Sequence, residues 1–204
     1  PQILIYHTHS QETFVDSVEG DPSTSIVGVG DYLTSLLTNV YGYNVIHDTS
    51  TYDLIDGELD RNRAYSLALD SVEQILEQNP SIEIIIDLHR DGIEGNKMTT
   101  FINNQETARI MFFNGLSRTA KNGAIDYLYN PYISDNLAFS LQLQLKAAEY
   151  FPGFTRPIYL KSYRYNLHLR PRSLLVEAGS QKNTLQEELN AMEVLAELLH
   201  MVLQ

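Results

Sequence analysis

Three apolar segments of the chain each lead into side chains that could bind a metal ion or transfer a proton. The segments span residues 3–6, 82–88 and 174–176. The side chains that follow them are His7, His9 and Glu12, then His89 and Arg90, and finally Glu177. Ligands bind at the carboxyl ends of strands in open α/β sheets. These side chains are therefore predicted to share one site.

The residue types at these positions are typical of a hydrolytic zinc site. His9 and Glu12 form an H-x-x-E element, which a turn leaving a strand can bring to one ion, and His89 could supply a third ligand. Two histidines and a carboxylate, with water in a fourth position, bind zinc in many hydrolases, where the ion makes that water acidic. Glu177 terminates an apolar strand, so we expect burial to raise its pKa and we assign it as the general base.

Two other residues have more than one interpretation. Residues two apart on a strand point the same way, so His7 could bind the metal together with His9, but we favour a supporting or substrate-contacting role for His7. Arg90 could stabilise an oxyanion or hold a substrate carboxylate, or it could simply pair with Asp87 or Asp91. A histidine at a strand end is also often a structural residue, and a glutamate before Ala-Gly can cap a turn.

Composition narrows the class of protein. The chain has 204 residues, 43% of them hydrophobic, which suits a single domain over residues 1–204. Its formal net charge of −12 opposes binding to a nucleic-acid phosphate backbone. Cysteine is absent, so disulfides and thiolate metal ligands are excluded. No stretch approaches the roughly 20 apolar residues of a membrane helix. The sequence opens directly in a strand-like run, so we expect no signal peptide within it. The first residue is proline, so we expect an anchor or targeting segment to have been removed.

Hydrophobic periodicity predicts strands that alternate with four helices. Helical spacing covers residues 25–40, 60–78, 135–148 and 184–202, with Asp60 and Asp135 as N-caps and a capping box at Thr184. Strands are predicted over residues 2–6, 43–47, 81–88, 97–102, 107–113, 158–161 and 173–177. The alternation predicts an α/β fold with an open, mostly parallel twisted sheet and helices on both faces.

Three segments of the chain resemble the stage II sporulation protein P family of endospore-forming bacteria. They are His7-Thr8-His9-Ser10-Gln11-Glu12, Ile86-Asp87-Leu88-His89-Arg90-Asp91 and Leu175-Val176-Glu177-Ala178-Gly179. That family is similar to the zinc-dependent N-acetylmuramoyl-L-alanine amidases, in which two histidines and a glutamate bind zinc and a late glutamate is catalytic. By position, His9, His89 and Glu177 match this pattern. In those amidases the ligand glutamate lies further on, at the start of the first helix, where residues 23–27 contain no acid. Glu12 instead resembles the zinc half-site of metallocarboxypeptidases.

The resemblance implies a zinc-dependent hydrolase that cleaves the N-acetylmuramoyl-L-alanine amide of peptidoglycan, and peptide cross-links as well. It implies action during engulfment in sporulation, an extracytoplasmic location at the sporulation septum, an N-terminal membrane anchor absent from this sequence, and a sporulation lytic transglycosylase as partner. Two alternatives stay open. One is an amidohydrolase barrel that uses His7-x-His9 as its metal pair, and the other is a non-catalytic wall-binding or scaffold module on the same fold.

Overall fold

The structure is a computed structural model that describes residues 2–204. The strands, in chain order, are β1 (Ile3–Tyr6), β2 (Val45–His47), β3 (Leu54–Ile55), β4 (Glu58–Leu59), β5 (Ile84–Asp91), β6 (Thr99–Ile102), β7 (Gln105–Ala108), β8 (Ile110–Gly115), β9 (Arg118–Thr119), β10 (Gly123–Ala124), β11 (Tyr159–Lys161) and β12 (Ser173–Ser180). Six of them form one sheet in the order β11-β8-β12-β5-β1-β2, and the others form three two-stranded ribbons.

The main sheet is open and mostly parallel, as the sequence predicts. β2, β1, β5 and β12 run in the same direction, while β8 lies antiparallel to β12 and β11 lies parallel to β8. Because β1, β5 and β12 are parallel neighbours, their carboxyl ends meet at the same edge of the sheet. This open topology excludes an eight-stranded barrel. It therefore also excludes the amidohydrolase alternative, which needs that barrel and uses His7-x-His9 as its metal pair.

Four α-helices flank the sheet: α1 (Ile26–Asn39), α2 (Arg61–Gln78), α3 (Ile133–Tyr150) and α4 (Leu185–Leu203). The predicted caps at Asp60 and Thr184 are confirmed, since Asp60 accepts from two backbone amides of α2 and Thr184 forms a capping box with Glu187. The predicted cap at Asp135 is wrong. α3 begins two residues earlier, and Asp135 lies in its first turn, where an acid complements the helix dipole.

Alternate residues of the strands pack against different helices, so the helices cover both faces. Ile3 and Ile5 of β1 belong to a core with α1, α3 and α4, whereas Leu4 and Tyr6 belong to a second core with α2. This placement confirms the predicted fold class. None of the helices in residues 2–204 is both long and apolar enough to cross a membrane.

The strands differ from the prediction mainly at their ends. β5 continues to Asp91 and β12 to Ser180, because both are central strands whose backbones stay paired beyond the apolar run. Residues 99–108 form a hairpin of β6 and β7, with Asn103 and Asn104 both at positive φ in its turn. The second strand of the predicted hairpin, over residues 107–113, is wrong, because β7 ends at Ala108 and residues 110–113 pair with β12 instead. The next strand, β8, leaves that hairpin and joins the main sheet. The predicted loop over residues 115–130 holds a small ribbon of β9 and β10.

Candidate functional site

The register of the central strands brings the predicted site residues to one edge of the sheet. Glu177 of β12 lies beside His89 of β5, and Asp87 lies beside Tyr6 at the end of β1. Side chains paired in register point to the same face, here the face that α2 covers. Both His89 and Glu177 thus lie inside long strands rather than after them, and the twisted end of the sheet presents them together.

His9, Glu12 and His89 are buried and close to one another. The rings of His9 and His89 meet edge to face with centroids 5.2 Å apart, and His89 Nδ1 lies 3.6 Å from Glu12 Oε2. Burial alone would raise the pKa of Glu12, but the hydrogen bond and charge of His89 hold it below its usual value. No group of three or more His, Cys, Asp or Glu side chains in residues 2–204 is arranged to hold a metal ion.

Two buried carboxylates lie behind the histidines. Asp87 Oδ1 is 2.7 Å from His89 Nε2. Asp87 also accepts hydrogen bonds from the backbone amide and the hydroxyl of Thr8. Asp53 Oδ2 is 4.0 Å from His9 Nδ1. Burial opposes a charge on His89, but Asp87 and Glu12 outweigh it and raise the pKa of His89 well above its usual value. The site therefore favours positive charge between its carboxylates.

Glu177 has the properties expected of a general base. Burial raises its pKa to about 7, as predicted from its place on an apolar strand, and its Oε2 is buried without a hydrogen-bond partner. The backbone kinks just beyond it, where the β5 register shifts and Gly179 has a φ of +52°. A Cβ at Gly179 would overlap the carboxylate of Glu188 on α4, so any larger residue there would be strained and would displace the Glu188 side chain.

His7 points to the opposite face from His9, because β1 ends at Tyr6 and the chain turns between the two histidines. His7 Nδ1 donates to the Leu88 carbonyl at 2.7 Å, and burial lowers its pKa to about 4, so the ring is neutral. Its Nε2 accepts from His47 Nε2 at 2.8 Å, and His47 Nδ1 lies 2.8 Å from Asp31. His7 is fully buried and supports the backbone before His89.

A glycine on α1 makes room for this histidine pair. A Cβ on Gly30 would lie 2.6 Å from the Nε2 atoms of both His7 and His47. No real Cβ approaches an atom so closely, and any larger residue would force the two rings apart.

Arg90 holds the loop after β1 rather than lining the cleft. Its backbone amide donates to Glu12 Oε2 at 2.9 Å and its Nε donates to the Thr13 carbonyl at 3.2 Å. Asp91, one of its predicted partners, instead pairs with Arg156 at 2.7 Å. The arginine that faces the site is Arg61, at the start of α2, whose Nη1 lies 3.4 Å from Glu12 Oε1.

Tyr65 is a site residue that the sequence analysis missed. Its ring packs edge to face on His9 with centroids 5.5 Å apart. Burial, followed by the charges of Asp87 and Glu177, raises its pKa well above the usual value, so the hydroxyl stays protonated. The signal available in the sequence was its spacing of four residues from Arg61, which places both on one face of α2.

Comparisons with known proteins agree on one family and one fold. The family model for stage II sporulation protein P (SpoIIP) matches residues 1–200. A protein called stage II sporulation protein P from Bacillus subtilis strain 168 is 24% identical over 199 residues, covering 91% of this chain and 47% of its own length. The chain thus spans about half the length of that relative.

Solved structures of amidases share the fold of this chain. The CwlD amidase of Clostridioides difficile, solved in complex with the GerS lipoprotein, matches with a TM-score of 0.55, 16% identity and complete coverage of both chains. The N-acetylmuramoyl-L-alanine amidase AmiC2 of Nostoc punctiforme matches with a TM-score of 0.56 and 11% identity, covering all of this chain and 97% of its own. At such low identity these similarities establish the fold and nothing more.

Proposed function

The chain belongs to the stage II sporulation protein P family, and from that premise we propose that it is a zinc-dependent peptidoglycan hydrolase of sporulating cells. The bond that it cleaves is the amide between N-acetylmuramic acid and L-alanine, with peptide cross-links as a further substrate. The observation that carries this proposal is Glu177, a buried carboxyl with an unpartnered oxygen, beside His89 at the sheet edge. The amidase fold of the structural neighbours supports the reaction type.

His9, Glu12 and His89 are the residues that we propose hold the zinc. They do not form a complete metal site in the arrangement that the structure describes, so at least one of these side chains must move when zinc binds. For metal–ligand distances of about 2.0–2.2 Å, two ligand atoms of a tetrahedral site lie roughly 3.4 Å apart. The 3.6 Å between His89 Nδ1 and Glu12 Oε2 is close to that value. Asp87 faces the other nitrogen of His89, as carboxylates behind metal-binding histidines commonly do. His9 Nδ1 is buried and has no hydrogen-bond partner, which leaves its lone pair available to a metal ion.

Zinc, when bound, would lower the pKa of a coordinated water and so supply a nucleophile at neutral pH. The chain's own groups supply the proton transfers. Glu177 as a carboxylate takes the proton from the attacking water, and its raised pKa of about 7 then lets it pass that proton to the departing amine of L-alanine. The Tyr65 hydroxyl, which stays protonated, can donate a hydrogen bond to the oxyanion of the tetrahedral intermediate.

The cellular setting follows from family membership alone. We propose that residues 1–204 form one catalytic domain of a longer, extracytoplasmic protein held by a membrane anchor at the sporulation septum. We also propose that it acts there beside a sporulation lytic transglycosylase, which cuts the glycan while this chain removes the stem peptide. The B. subtilis relative has about twice the length of this chain, which leaves room for such an anchor.

Two substitutions separate metal binding from proton transfer. Glu177→Ala is expected to keep one zinc per chain and to lose cleavage of purified sacculi, whereas His89→Ala is expected to lose both. Zinc is measured by mass spectrometry of the metal and cleavage by release of stem peptides. Glu77→Ala, which removes an exposed carboxylate from α2, serves as the matched control.

The two outcomes that contradict the proposal are distinct. Normal release of peptides by Glu177→Ala would refute its role as base. A wild-type chain that binds sacculi but releases nothing, with or without zinc, would instead establish the non-catalytic wall-binding module.

A further inference from the structure

A cleft of about 650 Å³ opens beside the proposed zinc ligands, and its walls combine tyrosines with arginines. His9 lines the cleft, and α2 contributes Arg61 and Tyr65 to its walls. Its volume is typical of small-ligand sites. On a chain with 26 acidic and 14 basic residues, the walls of this cleft contain no aspartate or glutamate.

The segment that contributes Tyr165 and Asn166 to the walls of the cleft is held in an unusual backbone conformation. Tyr165 and Asn166 have φ values of +51° and +56°, a region that residues other than glycine seldom occupy. The Asn166 side chain donates to the Tyr65 carbonyl at 2.8 Å, and the Tyr165 ring packs between Phe113 and Tyr65 with centroids 4.7 and 5.4 Å apart. Backbone strain of this kind persists where neighbouring structure enforces it, commonly at ligand sites.

Two guanidinium groups give the cleft a positive character. Arg61 is half exposed, and its one close anion is Glu12, which we assign to the metal. Arg164 donates from Nη1 to the neutral Tyr129 carbonyl at 3.2 Å, and partial burial lowers the pKa of its guanidinium. The negative charge of Glu73 partly offsets this desolvation, and an anion bound directly to the guanidinium would stabilise the cation further.

A second groove, near the loop after β1, differs in charge. Its walls include Ser10, Glu19 and Asp21, so it has exposed carboxylates and no arginine or lysine. An anionic segment would be repelled there and attracted by the tyrosine–arginine cleft.

We propose that the tyrosine–arginine cleft binds the stem peptide of the substrate, with Arg164 and Arg61 pairing with carboxylates of that peptide. This inference rests on the proposed function and specifies how the substrate lies across the site. The glycan and the lactyl amide are uncharged, whereas the stem peptide has free carboxylates at its D-glutamyl residue and at its end. His9 lines the cleft, so a peptide bound in it lies next to a proposed zinc ligand.

The test compares a muramoyl tripeptide that has free carboxylates with its carboxamide analogue. Binding is measured by calorimetry in a Glu177→Gln background, so that the ligand is not consumed. Arg164→Gln is expected to weaken binding of the free acid by about tenfold or more, the loss expected for one charge-assisted hydrogen bond, and to leave the analogue unchanged. Arg164→Lys keeps the charge and should retain most of the affinity. Arg63→Gln, which removes an exposed arginine of α2 outside the cleft, is the matched control.

Two results would overturn the inference. One is equal affinity of Arg164→Gln and its parent for the free acid. The other is binding of chitotetraose in the cleft, abolished by Tyr163→Ala and unaffected by Arg164→Gln, which would assign the cleft to the glycan. Either result can occur in a chain that cleaves sacculi normally, so failure of this inference is distinguishable from failure of the proposed hydrolase function.

Discussion

Replacing Glu177 with glutamine should abolish cleavage and at the same time stabilise the metal-free chain at high pH. In the folded chain burial raises the pKa of Glu177 from 4.5 to about 7. Below pH 4.5 the carboxyl is protonated in both the folded and unfolded states, so its raised pKa does not lower the free energy of unfolding. As pH rises from 4.5 through 7, the unfolded state loses its proton first, so the folded state loses stability relative to it.

The size of this effect follows from the two pKa values. Each pH unit between them is worth about 1.4 kcal/mol, so full ionisation costs the folded state about 3 kcal/mol. Glutamine has nearly the same shape and never ionises. The free energy of unfolding of Glu177→Gln relative to wild type should therefore rise by about 2 kcal/mol between pH 5.5 and pH 8.5.

Urea unfolding at the two pH values, followed by circular dichroism, measures this difference. A chelator is present throughout, because a bound cation beside Glu177 would lower its pKa and remove the effect. Glu77→Gln, at an exposed position of α2, should stay within about 0.5 kcal/mol of wild type at both pH values. If the difference in free energy of unfolding between Glu177→Gln and wild type stayed constant or shrank with rising pH, Glu177 would not be a buried carboxyl with a raised pKa.

Three further substitutions test other parts of the site. Asp87→Asn should weaken zinc binding by about 10–100-fold, because it removes the carboxylate that orients His89, and unchanged affinity in a chelator competition assay would contradict this. Tyr65→Phe should lower kcat by about 100-fold while zinc stays bound, and a purely higher KM would argue against an oxyanion role. Gly30→Ala should lower the free energy of unfolding by about 1–3 kcal/mol, because its Cβ would lie 2.6 Å from His7. Calorimetry should show a lower Tm, and an unchanged Tm would be inconsistent with that packing.

The fold was predictable because each of its elements has a strong local signal. Apolar runs without polar interruption predict buried parallel strands, and helical spacing with caps at Asp60 and Thr184 fixes where α2 and α4 begin. The ends of β5 and β12 were less predictable. Polar residues such as His89 and Glu177 end an apolar pattern, but backbone pairing between neighbouring strands continues through them.

The direction of His7 depended on a turn that the sequence does not reveal. Period-two reasoning holds only while the strand continues, and β1 ends one residue before His7. The contacts among the site residues are also hard to predict, because the residues that meet there are distant in sequence. Asp87 is visible as a charged residue within an apolar run, yet its contact with His89 depends on ring orientation. Tyr65 resembles any polar-face residue of an amphipathic helix until α2 is placed over the sheet edge.

Identifying the bond that the chain cleaves is the most direct test of the proposed function. Purified sacculi are digested with the zinc-loaded chain, the chelated chain and Glu177→Gln, and the released fragments are identified by mass spectrometry. Free stem peptides that begin at L-alanine, released by the zinc-loaded wild-type chain and by neither other sample, are the predicted result. Identical products from all three samples, or intact sacculi in every sample, would contradict a zinc hydrolase that uses Glu177 as its base.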